Sequence, residues 1–425
     1  MSDFRHDRRD VHSTTSPATS SAEVHRRERQ RLQPAHLVTS AAVIASAAMR
    51  TPSLALSLLA LAACADTDQP DPCRLRSASR CDIRQVDCQE HVHAVLGCIR
   101  DTDHPLPTIA VMTADEYAVA HPPASPRTPA EQRLWDQHVR AYVLLGLLPA
   151  DWQEAEPTPV VAPYVAYDST IDTVVVVADG TQREAELYGL LYTLALADRD
   201  RETDLSGLLL TKTGTFDSKR ALTALFAGEA TLFADMAVAR ELDYGELAER
   251  FSYAQALDFT RRRFADPEVA WGEAMALFQY YFGADYVLRA FRSGGVPAID
   301  ALYEDSLAST AYALAGSVDI EAAFSAIDVA LPAPPEGFRY LSQDSFGPAM
   351  LQIHRAREDG ESTASAEQSL ARTWVGDRLV IAGSDTSDAV AAVWQIAGPG
   401  GEVAETIVRA SDDATLTAFQ ELFEG

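Results

Sequence analysis

The sequence predicts an α+β protein: a mainly helical domain with a small sheet, followed by a small C-terminal α+β module. Three observations predict it. From Gln182 to about Ala313 the apolar residues recur almost without interruption at helical spacing. Ahead of that run, Val160–Tyr167 and Thr173–Ala178 are short stretches rich in β-branched residues, which read as paired strands. Beyond the proline-rich LPAPPEGF at 331–338, helical and strand patterns alternate in short pieces. A chain of 425 residues is long enough for more than one domain.

The balance of charge limits the partners. Sixty-two acidic residues face 35 basic ones, a formal net charge of -27. Nucleic-acid binding by counterion release needs clustered Lys and Arg, so a nucleic-acid partner is not expected. Residues 1–48 are rich in Ser, Arg and His, and read as a disordered extension or as upstream sequence, with Met49 as the true start. Residues 49–63 read as a lipoprotein signal peptide: Arg50, then an apolar run from Leu54 to Leu61. Leu61-Ala62-Ala63-Cys64 is similar to a bacterial lipobox, in which the cysteine becomes the acylated N-terminus. The alternative is a plain signal peptide. The expectation is a lipid-anchored (palmitate-bearing) protein of the cell envelope, attached at Cys64 to the inner or outer membrane and facing the periplasm or exterior.

Residues 64–104 form a Cys-rich segment. Cys73, Cys81, Cys88 and Cys98 predict two disulfides in an exported chain, with all three pairings open. A zinc site helped by His91 and His93 is the rival, weakened by the lack of any C-x-x-C pair. The segment itself reads as a stapled cap or linker in which both histidines are solvated.

The helical domain is expected over 105–330. Leu106–Met112 reads as a strand and TADEYAVAH as a helix capped by Thr113. HPPASPRTP breaks the chain, and Ala130–Leu148 is an amphipathic helix. Helices follow at Glu184–Ala197, Ser218–Leu242, Gly245–Phe264, Glu268–Phe282, Asp285–Arg292 and Val296–Tyr303, with turns at FGAD and at Gly294-Gly295. Arg261, Arg262 and Arg263 read as a solvated helix face. In the module at 338–425, Ser345–Arg357 and Ala364–Thr373 are helical. Arg378–Ala382, Ala389–Ile396 and Glu402–Arg409 are strands, and Asp412–Phe423 is a closing helix capped by Ser411.

Within the first long helix, AELYGLLYTLAL places Tyr188 and Tyr192 one turn apart, so they share a face. Gly189 costs that helix about 1 kcal/mol against alanine. Downstream stand Ala224–Thr231, ALFAGEAT, and the stretch from Tyr281-Phe282-Gly283 through Gly294-Gly295 to Tyr303. Near the end stand WVGDR and AVAAVW. This order resembles a group of bacterial gluzincin-like zinc metallopeptidases, lipoproteins and exported proteins. Their zinc helix reads L-x-H-E-L-x-H. Later motifs read A-L-x-E-G-D-A-T, F-x-x-G, G-G-W-x-A-V-D-x-x-Y, W-x-G-D-R and V-x-W-R. The resemblance covers 105–425 by order of motifs, with thin identity.

The resemblance implies a zincin-like fold and a metal site whose residues are missing here. Tyr188 and Tyr192 stand at the two histidine positions, Gly189 at the catalytic glutamate and Ala227 at the third ligand; Glu229 matches the following acid. A phenol ionises only near pH 10 and is a poor zinc ligand, and glycine carries no base. Independently, none of the ten histidines lies between His138 and His354, so that stretch supplies no imidazole for a metal or a triad. These residues imply a pseudopeptidase: no enzyme activity, no cofactor, and a peptide or protein partner. The alternatives are a working metallopeptidase using Glu184, Glu186, Glu229 and Asp235, or a structural envelope lipoprotein. Taken without the resemblance, Tyr188 and Tyr192 are core aromatics and Glu229 is a buried carboxylate bonded to backbone.

Overall fold

A computed structural model describes residues 81–122, 125–154, 160–211, 213–239, 249–304, 309–316, 327, 330–398 and 401–424. All of them belong to one of the two units into which the chain divides, Ala41–Gly425. The expectations for residues 1–48, for the signal peptide at 49–63, for Cys64 and for Cys73 lie outside the described residues. Helices dominate, and two small sheets complete an α+β architecture, as the periodicities predict.

The described part of the Cys-rich segment is not a linker. Val86–Arg100 forms helix α1, whose Val92, Val95, Leu96 and Ile99 enter the main core. Cys81 and Cys88 are joined by a disulfide, Cα–Cα 5.3 Å, across the start of this helix. Cys98 is also disulfide-bonded.

The first sheet has the order β1-β3-β2: β1 (Thr108–Val111), β2 (Tyr164–Asp168) and β3 (Thr173–Val177). The central strand β3 pairs parallel with β1 and antiparallel with β2. Its unbroken TVVVV run follows from burial on both faces: Val174 and Val176 enter the main core, while Val175 and Val177 pack with Tyr164 and Tyr117. Tyr117 sits on α2 (Ala114–Ala120), which carries the predicted Thr113 cap as a full capping box with Glu116. Helix α3 is Pro129–Leu144.

Two long helices fill the main core, α4 (Arg183–Thr203) and α6 (Phe216–Val238), separated by the short α5 (Leu205–Thr211). By length and composition α6 could cross a membrane, yet nine-tenths of that stretch is buried in the core. Then come α7 (Ala254–Ala265) and α8 (Trp271–Leu277). The turn expected at FGAD does not form. The chain instead runs from α8 through a π-helical segment, Phe278–Phe282, straight into α9 (Gly283–Gly294). The glycine that signalled a turn serves close packing: a Cβ on Gly283 would lie 2.0 Å from the Ala224 carbonyl oxygen, and one on Gly228 would lie 2.2 Å from the Gly283 carbonyl carbon. Gly295 does end α9, in a positive-φ conformation at φ 67°. Helices α10 (Val296–Glu304) and α11 (Ala311–Leu314) follow.

The C-terminal sheet runs β4-β5-β6-β7, all antiparallel: Phe338–Asp344, Asp377–Ser384, Val390–Ala397 and Val403–Ala410. Strand β4 was not foreseen from the sequence. Between β4 and β5 lie α12 (Gly347–Asp359) and α13 (Ala364–Thr373), and α14 (Asp413–Glu424) closes the chain. Asp412, not Ser411, takes the Thr415 amide at 2.9 Å at its start. One face of the sheet, with Leu379, Ile381, Ala392 and Trp394, packs in one cluster with Ala224, Phe264 and Phe278, so the segments on either side of 331–338 share a core. The other face, with Ala382, Ala391 and Val393, packs on Phe419 of α14.

Two motifs on the neighbouring strands β5 and β6 meet at one carboxylate. Asp377, of WVGDR, accepts the Trp394 indole N–H at 2.7 Å and the amides of Phe346 and Gly347 at 3.0 Å each. It thereby satisfies amide donors at the start of α12 from another element. Arg261 is not a free solvated side chain: it holds the buried Glu367 of α13 at 2.9 Å, while Arg263 pairs with Asp266 and Glu273.

Candidate functional site

The tyrosine helix α4 lies against β2 and α6, and its glycine has a packing reason. A Cβ on Gly189 would sit 3.2 Å from Val165 Cγ2, so any longer side chain there begins against strand β2. Tyr188 and Tyr192 point away from that contact into a cluster of phenols. Tyr192, 8 % exposed, lies 5.6 Å from Tyr280 of the π segment, the rings tilted at 51°, and shares a hydrogen bond with its hydroxyl. Tyr188 donates to the Asp235 carboxylate on the last turns of α6. Tyr253, just before α7, donates to Asp235 Oδ2 at 2.9 Å. Tyr281 lies close enough to Asp235 to feel its charge. Neighbouring residues on an α-helix diverge by about 100°; in the π turn both Tyr280 and Tyr281 reach the cluster.

Burial sets the electrostatics. Asp235 is pushed up to about 7, with the Tyr253 and Tyr188 hydrogen bonds opposing that rise. The phenols of Tyr188, Tyr192 and Tyr253 are pushed well above their ordinary value, mainly by burial, and stay neutral donors. The cluster therefore offers one carboxyl that titrates near neutrality inside a ring of hydroxyl donors. It can hold a proton or face a cationic group. Ala227 belongs to the same core as Tyr192, and Tyr188 packs against that core, but the α6 side chain that meets Tyr188 is Asp235, eight residues further on.

A carboxyl raised on folding favours the folded state most below its unfolded value near 3.8 and loses that contribution as pH rises to about 7. Asp235→Asn should therefore gain stability relative to the parent protein as pH climbs from 4 to 7, and no further above that. Urea midpoints measured in parallel for both proteins check it. Asp217, raised likewise to about 7 by burial, is common to both and cancels in the difference. A flat difference across this range would remove Asp235 as a neutral-pH titrating group.

Glu229 does not bond to backbone as the sequence reading expected. It sits 1 % exposed in an ionic network. Arg199 donates to both its oxygens, at 2.8 Å to Oε1 and 2.9 Å to Oε2, and Tyr303 donates at 2.6 Å. Arg100 of α1 reaches Glu229 at 3.3 Å and Glu202 at 2.8 Å. His93, expected in solvent, is buried and bonds Asp198 at 3.1 Å, beside Arg100. The network ties α1, α4, α6 and α10 together.

The four carboxylates considered as substitute ligands are separately engaged or apart. Glu186 Oε1 accepts the Gly180 amide at 2.7 Å, Glu229 is held by Arg199, Asp235 is held by Tyr253, and Glu184 is exposed. Among the described residues no group of three or more His, Cys, Asp or Glu side chains is placed to hold a metal ion. Tyr253 and Tyr280 were missed by sequence reasoning, and Tyr281 entered it only as the start of a motif. The doubled tyrosine in FQYYF was the available signal, hidden because an ordinary helix would send the two rings to different sides. No protein-family model, curated protein or solved structure matches this chain.

Proposed function

We propose that this is an exported lipoprotein, anchored through Cys64, with a metallopeptidase-like body that performs no hydrolysis and binds a peptide or protein partner. The observation that carries the reading is what stands at the metal-helix positions. Two phenols, not imidazoles, share one helical face and are committed to Asp235 and Tyr280, and the position of the base is a glycine packed on Val165. A neutral phenol does not activate water on a metal, and the cluster around Asp235 suits recognition better than hydrolysis. The binding role follows from fold analogy with the resembled peptidases.

The test uses the full chain expressed in a bacterial host that lipidates exported proteins. Cys64→Ser should abolish incorporation of labelled palmitate and release the protein from membranes. The purified protein should carry less than stoichiometric zinc and leave an unfolded casein substrate intact. Stoichiometric zinc together with casein cleavage would overturn the inactive-scaffold reading, and unchanged labelling of Cys64→Ser would overturn the anchor.

A further inference from the structure

Among the described residues most arginines have an acceptor: Arg133, Arg140 and Arg357 donate to backbone carbonyls, and others pair with carboxylates. Arg100, Arg199, Arg201, Arg261 and Arg263 are among the latter. Arg220, in the second turn of α6, is different. Among the described residues no carboxylate pairs with it, and the ionisable groups that interact with it are the Tyr142 phenol and the Lys219 ammonium. Its Nε is buried without a hydrogen-bond partner. The residue as a whole is half-buried, and among the described residues no acceptor meets its two Nη nitrogens.

Aromatic rings hold this guanidinium in place. It lies 4.6 Å from the Phe216 ring and 5.8 Å from the Trp271 ring. Phe346 stacks on Phe216 at 4.7 Å, and Tyr142 stands 6.1 Å from both Trp271 and Phe346. The four rings come from α3, α6, α8 and the residue before α12, so the helical body and the C-terminal module both contribute. Tyr142, Phe216 and Trp271 are half-buried and keep part of their surface open. Lys219, one of only two lysines in the chain, is the next residue. Burial and the Arg220 charge push its ammonium down to about 8, and burial pushes Arg220 down to about 10. The Asp344 carboxylate takes the amides of Phe216 and Ser345 on Oδ1, at 2.9 and 2.8 Å.

Ring contacts alone explain where the guanidinium sits, but they supply no acceptor for its N–H groups. We propose that Arg220, with Lys219 beside it and the Tyr142, Phe216, Trp271 and Phe346 rings around it, forms a receptor for an organic monocarboxylate. The planar fork accepts a carboxylate through two parallel hydrogen bonds. The rings receive the apolar body of the ligand, which an inorganic anion lacks. One guanidinium fork offers one pair of parallel donors, which matches one carboxylate. This site is independent of the Asp235 cluster and does not rest on the lipoprotein or pseudopeptidase reading.

Isothermal titration of the intact protein with benzoate, its neutral analogue benzamide and inorganic phosphate tests it. Benzoate should bind one to one, and benzamide and phosphate at least about tenfold more weakly. Arg220→Met should weaken benzoate at least about tenfold, Arg220→Lys less, and Lys219→Met least. Equal binding of benzoate and benzamide, phosphate binding as tight as benzoate, or undiminished binding by Arg220→Met each overturn the proposal. If Arg220→Met fails to fold, the three-ligand comparison on the unaltered protein still decides it.

Discussion

Gly228→Ala is expected to destabilise the protein by about 3 kcal/mol or more, beyond the usual range for an added methyl in a packed interior. The reason is what the new atom meets. Its Cβ would lie 2.2 Å from the carbonyl carbon of Gly283 and 2.5 Å from the Ala284 nitrogen, backbone atoms of a buried helix. A flexible side chain can turn aside, but main chain in a hydrogen-bonded helix moves only with its neighbours. Gly283→Ala meets the mirror problem at the Ala224 carbonyl oxygen and should cost a similar amount. Gly272→Ala is the control, because nothing stands within 4 Å of a Cβ there. Thermal and urea unfolding of the three variants check the ordering. A Gly228→Ala protein as stable as the Gly272→Ala protein would mean that the two helices are not in contact at these residues.

The second large effect is expected at Glu229. Removing one member of a buried ion pair leaves the other charge without compensation, typically at about 3–5 kcal/mol. Arg199 and Glu229 are 3 % and 2 % exposed at their side chains and meet at 2.8 Å, so Glu229→Leu should fall in that range. Arg100 and Tyr303 would lose the same acceptor. The double variant Arg199→Met, Glu229→Leu should recover part of the loss, because it removes both charges together. Recovery would be incomplete, since Arg199 also serves Glu202 and Asp300. Additive losses in the double variant would show that the two side chains do not act as a pair.

Much of this fold could be read directly from local pattern. The Thr113 cap, the strand at Thr173–Val177 and the helix Ala364–Thr373 each depend on residues within a few positions of one another. What escaped depends on distant partners. Strand β4 is an edge strand that follows a proline-rich stretch and Gly337, so its start looked like linker. Helix α1 looked like a stapled loop because its cysteines drew attention from Val92, Leu96 and Ile99. Gly283 gave the local signal of a turn, and only its approach to Gly228, 55 positions earlier, explains a glycine inside a helix. At the candidate site the spacing of Tyr188 and Tyr192 was visible. Their partners Asp235, Tyr253 and Tyr280 come from three other elements, and no local period connects those residues. Glu229 was recognised as buried, but Arg100, Arg199 and Tyr303 stand on separate helices, so its partners were not.

The π segment also fixes the phase of everything after it. A widened turn holds one more residue than an ordinary one, so it rotates the following helix by about 100° relative to an uninterrupted α-helix. Deleting a single residue from Phe278–Phe282 would leave composition and hydropathy almost untouched. It would nevertheless swing Gly283 off Gly228 and present a side chain in its place, while parting the neighbouring tyrosines from Asp235. Chain length in this one turn therefore governs both how closely the two helices approach and which rings face the carboxyl group.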